Sequence, residues 1–246
     1  MDREKEISVS SVVDNSVGAV IVAAGRSSRM GGVDKTFAPL LGAPLIAHTV
    51  ERFEAHPRIG EIALVLAAES VERGRELAAA RGWRKVTQVC AGGARRQDSV
   101  YNGLTALTPC DLALIHDGAR PCLDAATLER GIHAAAEHGA AVAGTPVKDT
   151  IKRVSPELLI DDTPERARLW AAQTPQVFRY SLLLEAHRQC HTDVTDDAAM
   201  VEATGHPVRM FEGTYENIKV TTAGDLVIAE AFLREMLESP IVRREL

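Results

Sequence analysis

Val20-Ile21-Val22-Ala23-Ala24-Gly25-Arg26-Ser27-Ser28-Arg29-Met30 passes abruptly from an apolar run to a cationic loop. A run rich in β-branched residues with no polar face fits a strand buried on both sides, as in a parallel sheet. Ala23-Ala24-Gly25 then offers side chains small enough for a base or a phosphate to approach the backbone. The loop carries Arg26 and Arg29, with Lys35 just beyond, and no carboxylate before Asp34. Backbone N–H groups and these cations together suit a polyphosphate. A turn with merely solvated basic residues is the plainer alternative, but it leaves three cations around one glycine-rich loop unexplained. Gly25, Gly31 and Gly32 make neither the G-x-G-x-x-G of a dinucleotide fold nor a G-x-x-x-x-G-K-[ST] phosphate loop. A Rossmann dehydrogenase and a P-loop NTPase are therefore excluded.

Outward from this strand, the pattern alternates. Helical periodicity is expected over 44–54, a strand over 61–67, and a helix over 70–81 ended by Gly82. A strand over 85–90 runs into Gly92-Gly93-Ala94-Arg95-Arg96, a second glycine-rich cationic loop. It leads to a helix over 99–107, with Asp98 or Ser99 as N-cap. A strand over 111–117, a helix over 124–138 and a strand over 140–145 follow. The last helix, 224–237, presents Leu226, Ile228, Ala229, Phe232, Leu233 and Leu237 as a core-facing stripe. This order predicts an α/β fold: a Rossmann-like, mostly parallel sheet with helices on both faces. No repeat or linker divides the chain, so 17–240 is expected to be one domain. Residues 148–172 break the rhythm, with two short extended pieces around a Pro- and Asp-rich middle. They predict a protruding β-hairpin arm used for dimerisation, because Ile151, Leu158, Leu159 and Ile160 need cover.

Composition sets bounds. With 246 residues, 46% hydrophobic and 25% charged, the chain has ordinary globular usage, and 4% aromatic content calls for an aliphatic core. A net charge of -6 argues against bulk nucleic-acid binding while allowing a local cationic pocket. Residues 1–16 lack a secretory apolar core and are expected to be a disordered leader. No apolar run reaches membrane-span length, and the expected location is cytoplasmic. Cys90, Cys110, Cys122 and Cys190 form no C-x-x-C pair and fit small buried side chains. His187, Cys190 and His191 could contribute to a zinc site, but no second cluster completes the coordination.

In open parallel sheets ligands bind beyond the carboxyl ends of the strands. The first strand delivers Ala23, Ala24, Gly25 and Arg29 there, and the third delivers Gly92, Gly93 and Ser99. The fourth brings Asp117 and Arg120, and a last one is expected to arrive at Glu216-Asn217-Ile218-Lys219-Val220-Thr221. Asp117, closing an apolar strand, is the candidate ligand for Mg²⁺, which is commonly held by one carboxylate plus substrate phosphates. No nucleophilic triad or paired carboxylates stand out. Arg29, Lys35, Arg120, Arg166 and Lys219 with a single Asp suit phosphoryl or nucleotidyl transfer, where positioning and charge neutralisation dominate.

Ala-Ala-Gly-x-x-x-Arg-Met with a following Lys resembles the signature of small nucleotidyltransferases that join nucleoside triphosphates to sugar phosphates. Further motifs narrow it: Gly92-Gly93-x-x-Arg96-x-Asp98-Ser99, His116-Asp117-Gly-Ala-Arg120-Pro121, Val147-Lys-Asp-Thr150, Gln173-Thr174-Pro175-Gln176, Thr195-Asp196-Asp197-Ala198 and Asn217-Ile218-Lys219-Val220-Thr221. Over 17–237 the chain resembles the 2-C-methyl-D-erythritol 4-phosphate cytidylyltransferase family of the non-mevalonate isoprenoid pathway. The resemblance implies CTP and a polyol phosphate as substrates, Mg²⁺ as cofactor, and a homodimer with crossed arms. By position it implies cytidine contacts at Ala23, Ala24, Gly25, Gly92, Gly93 and Ser99, α-phosphate stabilisation by Arg29 and Lys35, and a metal at Asp117. Thr150, Arg166 and Lys219 would place the acceptor phosphate, the first two from the partner's arm, with Arg120 and Thr195 lining the pocket. The chain departs from the family pattern at Ser27, Asp34 and Ala94. A ribitol 5-phosphate cytidylyltransferase, which shares the nucleotide-side motifs, and a non-catalytic nucleotide-binding protein remain alternatives.

Overall fold

The computed structural model describes residues 16–25, 35–190 and 192–238. Of the expected leader only Ser16 is described; residues 1–15 lie outside, as does His191. In chain order the elements are β1 (Val17–Ala23), the small hairpin β2 (Pro39–Leu40) and β3 (Ala43–Pro44), α1 (Leu45–Glu54) and β4 (Ile59–Leu66). Next come α2 (Val71–Arg81), β5 (Val86–Ala91), α3 (Arg96–Ala106), β6 (Leu112–Asp117), α4 (Ala125–His138) and β7 (Ala140–Pro146). The remainder comprises β8 (Arg153–Val154), β9 (Ile160–Asp162), β10 (Trp170–Arg179), α5 (Tyr180–Gln189), α6 (Asp197–Ala203), β11 (Arg209–Glu212) and α7 (Ala223–Glu238).

Because successive strand side chains point to opposite faces, an apolar strand needs cover on both. Ala19 and Ile21 of β1 join Ile62, Leu64 and Leu114 on one face, under Ile46, Val50 and Phe53 of α1 and Leu128 and Ile132 of α4. Val20, Val65 and Ile115 face the other way, against Val100 and Leu104 of α3, Leu183 of α5 and Val201 of α6. The seven strands run in the order β11-β7-β10-β6-β1-β4-β5. Pairings of β1 with β4 and β6, of β4 with β5 and of β7 with β11 are parallel. β10 alone in this sheet runs antiparallel, to both β6 and β7.

Several expectations need correction. Helix α3 starts at Arg96, three residues early, and neither Asp98 nor Ser99 is its N-cap. Asp98 instead sits within the first turn and accepts the Arg95 backbone N–H at 3.0 Å. The 216–221 segment is not a strand; it is irregular chain between β11 and α7. Of the α7 stripe only Ala229 and Leu233 are buried, in a small cluster with Leu40, Leu45, Cys122 and Val220. Ile228 and Leu237 remain exposed, because the helix packs on that cluster by one narrow edge. Gly82 ends α2 as expected, in the left-handed conformation (φ 66°) that costs glycine least. The 148–172 segment contains the antiparallel β8–β9 hairpin, although Trp170 already pairs with Pro146 in the main sheet.

Candidate active site

Beyond the carboxyl ends of β1, β5 and β6 lies a cleft of ≈ 570 Å³. Ala23, Ala24, Gly25, Gly93 and Ser99 line it together with Lys35, Asp117 and Lys219. Its two backbone edges meet closely because Gly92 has no side chain: a Cβ there would collide with Ala24 and lie 2.6 Å from Ser99 Oγ. The Ser99 hydroxyl accepts the Gly93 N–H at 3.1 Å and donates to the Arg95 carbonyl at 3.1 Å, which folds the glycine loop over the start of α3. Lys35 begins a single 3₁₀ turn whose Thr36 and Phe37 are buried. Thr36 Oγ1 donates to the carbonyl of Ala23, and the Arg73 guanidinium stacks 4.0 Å over the Phe37 ring. The lysine is thus seated from below on both β1 and α2.

Asp117, at the last position of β6, sits among three cations. Lys219 Nζ lies 2.7 Å from Oδ2, Arg96 Nε donates to Oδ1 at 3.4 Å, and Arg120 Nε is 3.7 Å from Oδ2. Burial pushes this carboxyl up, but Lys219, Arg96 and Arg120 together outweigh it and hold Asp117 well below the usual carboxylate range. Asp117 is therefore an anion at any working pH. Next to it, His116 is fully buried and pushed down to about 4, mainly by burial, so its ring is neutral. The Asp117 N–H donates to Thr174 Oγ1 at 3.1 Å, and because the Arg120 carbonyl at Nε2 can only accept, the neutral His116 ring leaves Nδ1 to accept the Thr174 hydroxyl at 3.0 Å. His116 Nε2 then carries the hydrogen that meets the Arg120 carbonyl at 3.2 Å.

A second cleft of ≈ 280 Å³ shares Arg96, Asp117 and Lys219 with the first. Arg120, Ala172, Gln173, Thr174, Gln176, Thr195 and Asp196 complete its wall. Gln176 donates to Asp196 Oδ2 at 2.9 Å and accepts the Ala198 N–H at 3.0 Å, so one side chain fixes the turn that bears Thr195. Asn217 is buried; its side-chain amide donates to the Thr174 carbonyl at 2.8 Å, and its backbone carbonyl accepts Arg120 Nη1 at 2.6 Å. This clasp gives the irregular segment before Lys219 a fixed path.

Most of the site residues expected from sequence converge. Ala23, Ala24, Gly25, Gly93, Ser99, Lys35, Asp117 and Lys219 share the first cleft, with Gly92 at its edge. Arg120 and Thr195 share the second with Lys219. Arg29 lies outside the described residues. Thr150 and Arg166 line neither cleft; both are exposed, and Arg166 Nη1 donates to the Lys148 carbonyl at 2.7 Å. Among the described residues no group of three or more His, Cys, Asp or Glu could hold a metal, and none forms around His187.

The geometry agrees with the comparisons. The family model for 2-C-methyl-D-erythritol 4-phosphate cytidylyltransferase matches residues 17–235. The chain belongs to this family. Within the cytidylyltransferase family it is 48% identical over 223 residues to the 2-C-methyl-D-erythritol 4-phosphate cytidylyltransferase of Dehalococcoides mccartyi strain 195, covering 91% of this chain and 98% of that protein. The enzyme of the same name from Syntrophotalea carbinolica is 48% identical over 225 residues, covering 89% and 96%. A crystal structure of the cytidylyltransferase from Thermus thermophilus superposes with a TM-score of 0.69 at 33% identity, covering 89% of this chain and 99% of that one. The 4-diphosphocytidyl-2C-methyl-D-erythritol synthase from Anaerococcus prevotii gives 0.78 at 28% identity, covering 90% and 97%. The chain is accordingly an enzyme, a nucleotidyltransferase.

The sequence reading assigned no task to Arg96, His116, Thr174, Gln176, Asp197 or Asn217. Each lies inside a quoted motif, but only His116 is directly beside an assigned residue, Asp117. Their signal was available as polar side chains beside apolar strand ends, where a buried polar group needs a partner.

Proposed function

We propose that this chain transfers the cytidylyl group of CTP to 2-C-methyl-D-erythritol 4-phosphate. An oxygen of the acceptor phosphate forms a bond to the α-phosphorus, the α–β anhydride bond breaks, and pyrophosphate leaves. The observation that carries this reading is the pair of adjoining clefts whose common wall is Arg96, Asp117 and Lys219. One is large enough for a nucleotide, the other for a small phosphate ester, and cations meet where the phosphates would.

In this reading the backbone around Ala23, Ala24, Gly25, Gly92 and Gly93, with Ser99, receives the cytidine. Lys35 and Arg29 stabilise charge developing at the α-phosphate, as fixed donors do for a transition state. Arg120, Thr195 and Lys219 orient the acceptor. A single ionised carboxylate at the edge of a triphosphate-sized cleft fits Mg²⁺, which takes one or two carboxylates and completes its octahedron from phosphates and water. Asp117 would hold it, and the ion when bound would neutralise the triphosphate. Thr150 and Arg166, which reach neither cleft of their own chain, fit a role in the partner's acceptor pocket within a homodimer of crossed arms. CTP and the polyol phosphate are charged, water-borne metabolites, in keeping with a cytoplasmic enzyme.

Pyrophosphate release from purified protein, with CTP, UTP and ATP each against 2-C-methyl-D-erythritol 4-phosphate and ribitol 5-phosphate, tests the proposal. The expected result is turnover with CTP and methylerythritol phosphate. Turnover confined to ribitol 5-phosphate, or none with any pair, would overturn it.

A further inference from the structure

Arg96 opens α3, on the nucleotide side, yet its partners belong to other elements. Nη1 donates to Asp197 Oδ2 at 2.8 Å, and Nε donates to Asp117 Oδ1 at 3.4 Å. Asp197 is the first residue of α6 and is fully buried. It directly follows Asp196 and Thr195, which line the second cleft. A single planar guanidinium thus connects the glycine loop of the first cleft, the carboxylate at the seam and the turn that forms the second.

The pair is an expensive way to obtain stability. A buried carboxylate must be compensated, and an apolar replacement of similar volume is often no less stable. Here the compensation is also incomplete: Asp197 Oδ1 has no hydrogen-bond partner among the described residues, and neither does His187 Nε2, 4.0 Å away. What the charge does supply is direction. A fork of fixed geometry held by one carboxylate presents its other edge to a second carboxylate in one orientation.

We propose that Arg96, anchored by Asp197, is a positioning residue that keeps Asp117 and the Thr195 turn in register, so that the donor and acceptor phosphates meet. This rests on the cytidylyl-transfer reading above. It assigns no substrate contact to Asp197, which acts only through Arg96.

The test uses the full chain and the variants Asp197→Asn, Arg96→Lys and the two combined. Asparagine keeps the shape and loses the charge; lysine keeps the charge but offers a single ammonium for two carboxylates. Steady-state pyrophosphate release gives kcat and the KM for each substrate, and calorimetric titration with CTP and Mg²⁺ gives nucleotide affinity. Each single variant should lower kcat about 10- to 100-fold and raise the acceptor KM, as loss of a partner that orients a ligand-binding group does. For Asp197→Asn, whose side chain lines neither cleft, CTP affinity should be unchanged. The double variant should be no worse than the weaker single variant, because both remove the same tie. Lower thermal stability with wild-type kcat and acceptor KM would overturn the inference, as would effects that multiply in the double variant. If Asp197→Asn fails to fold, Arg96→Lys decides by the same split, and near-wild-type constants for it overturn the inference. A wild-type protein that transfers nothing from CTP would instead overturn the proposed function and take this inference with it.

Discussion

Asp117 shows how one residue can be both expensive and necessary. Its carboxylate is taken out of water at the end of an apolar strand, and three cations converge on it. Asp117→Asn keeps the volume and removes the charge that those cations share and that Mg²⁺ would use in the proposed function. We expect kcat to fall about 10²- to 10³-fold, the usual effect of losing a group that stabilises transition-state charge. Partial recovery at high Mg²⁺ and an unchanged circular dichroism spectrum should accompany the loss; full activity at ordinary Mg²⁺ would reduce Asp117 to a turn residue. His187 carries a pH prediction. Burial, then the charge of Arg96, push it down to about 4, with Asp98 pulling the other way and Asp197 and Tyr101 beside it. In the unfolded chain it titrates near 6.5, so the unfolded state binds the extra proton between these values. Stability is then fully present above about pH 6.5 and falls as pH drops toward 4, by on the order of 3 kcal/mol from this residue. Urea midpoints measured against pH should fall less steeply for His187→Gln, and parallel curves would refute the assignment. At this scale the sequence displayed the charges plainly, since Asp117, Lys35 and Lys219 stand out against apolar or small neighbours. It hid their partners: nothing in the spacing pairs Arg96 with Asp197, 101 residues away.

Among the helices, α3 contributes Arg96 and Ser99 to the lining of the first cleft. It lies close to the sheet because Gly103 faces Val20 and Val65. A Cβ on Gly103 would collide with Val20 and stand 2.7 Å from Val65 Cγ2. Alanine is the better helix former by about 1 kcal/mol, but overpacking a tight interface costs about 1–3 kcal/mol. The expected balance for Gly103→Ala is a lower melting temperature together with weaker CTP binding, as Ser99 moves with its helix. A raised melting temperature would mean that the interface has slack. The strands were legible because both faces of β1, β4 and β6 are apolar. The reversed direction of β10 was not: a buried strand has the same composition in either orientation, and only its pairing partners differ. The early start of α3 escaped notice because Asp98, a good N-cap residue, works from inside the first turn instead.

At the scale of the whole molecule, the arm explains two observations at once. Leu158, Leu159 and Ile160 are 78%, 69% and 62% exposed at its tip and second strand, an apolar surface of the kind a second subunit covers. Thr150 and Arg166 lie at its base, outside both clefts of their own chain. The broken periodicity of 148–172 made the β8–β9 hairpin legible, but a single sequence does not say what would cover its apolar tip. If arms cross, each acceptor pocket draws Lys219 from one subunit and Arg166 from the other. Arg166→Ala and Lys219→Ala homodimers should each be nearly inactive. In the heterodimer one site holds both lesions while the other is intact. Random exchange of equal amounts makes half the dimers mixed, so activity should return to about a quarter of wild type. Exchange must be verified independently, with differently tagged subunits recovered together. Verified heterodimers without recovered activity would place Arg166 in its own chain's site, because each site would then keep one lesion and none would be whole.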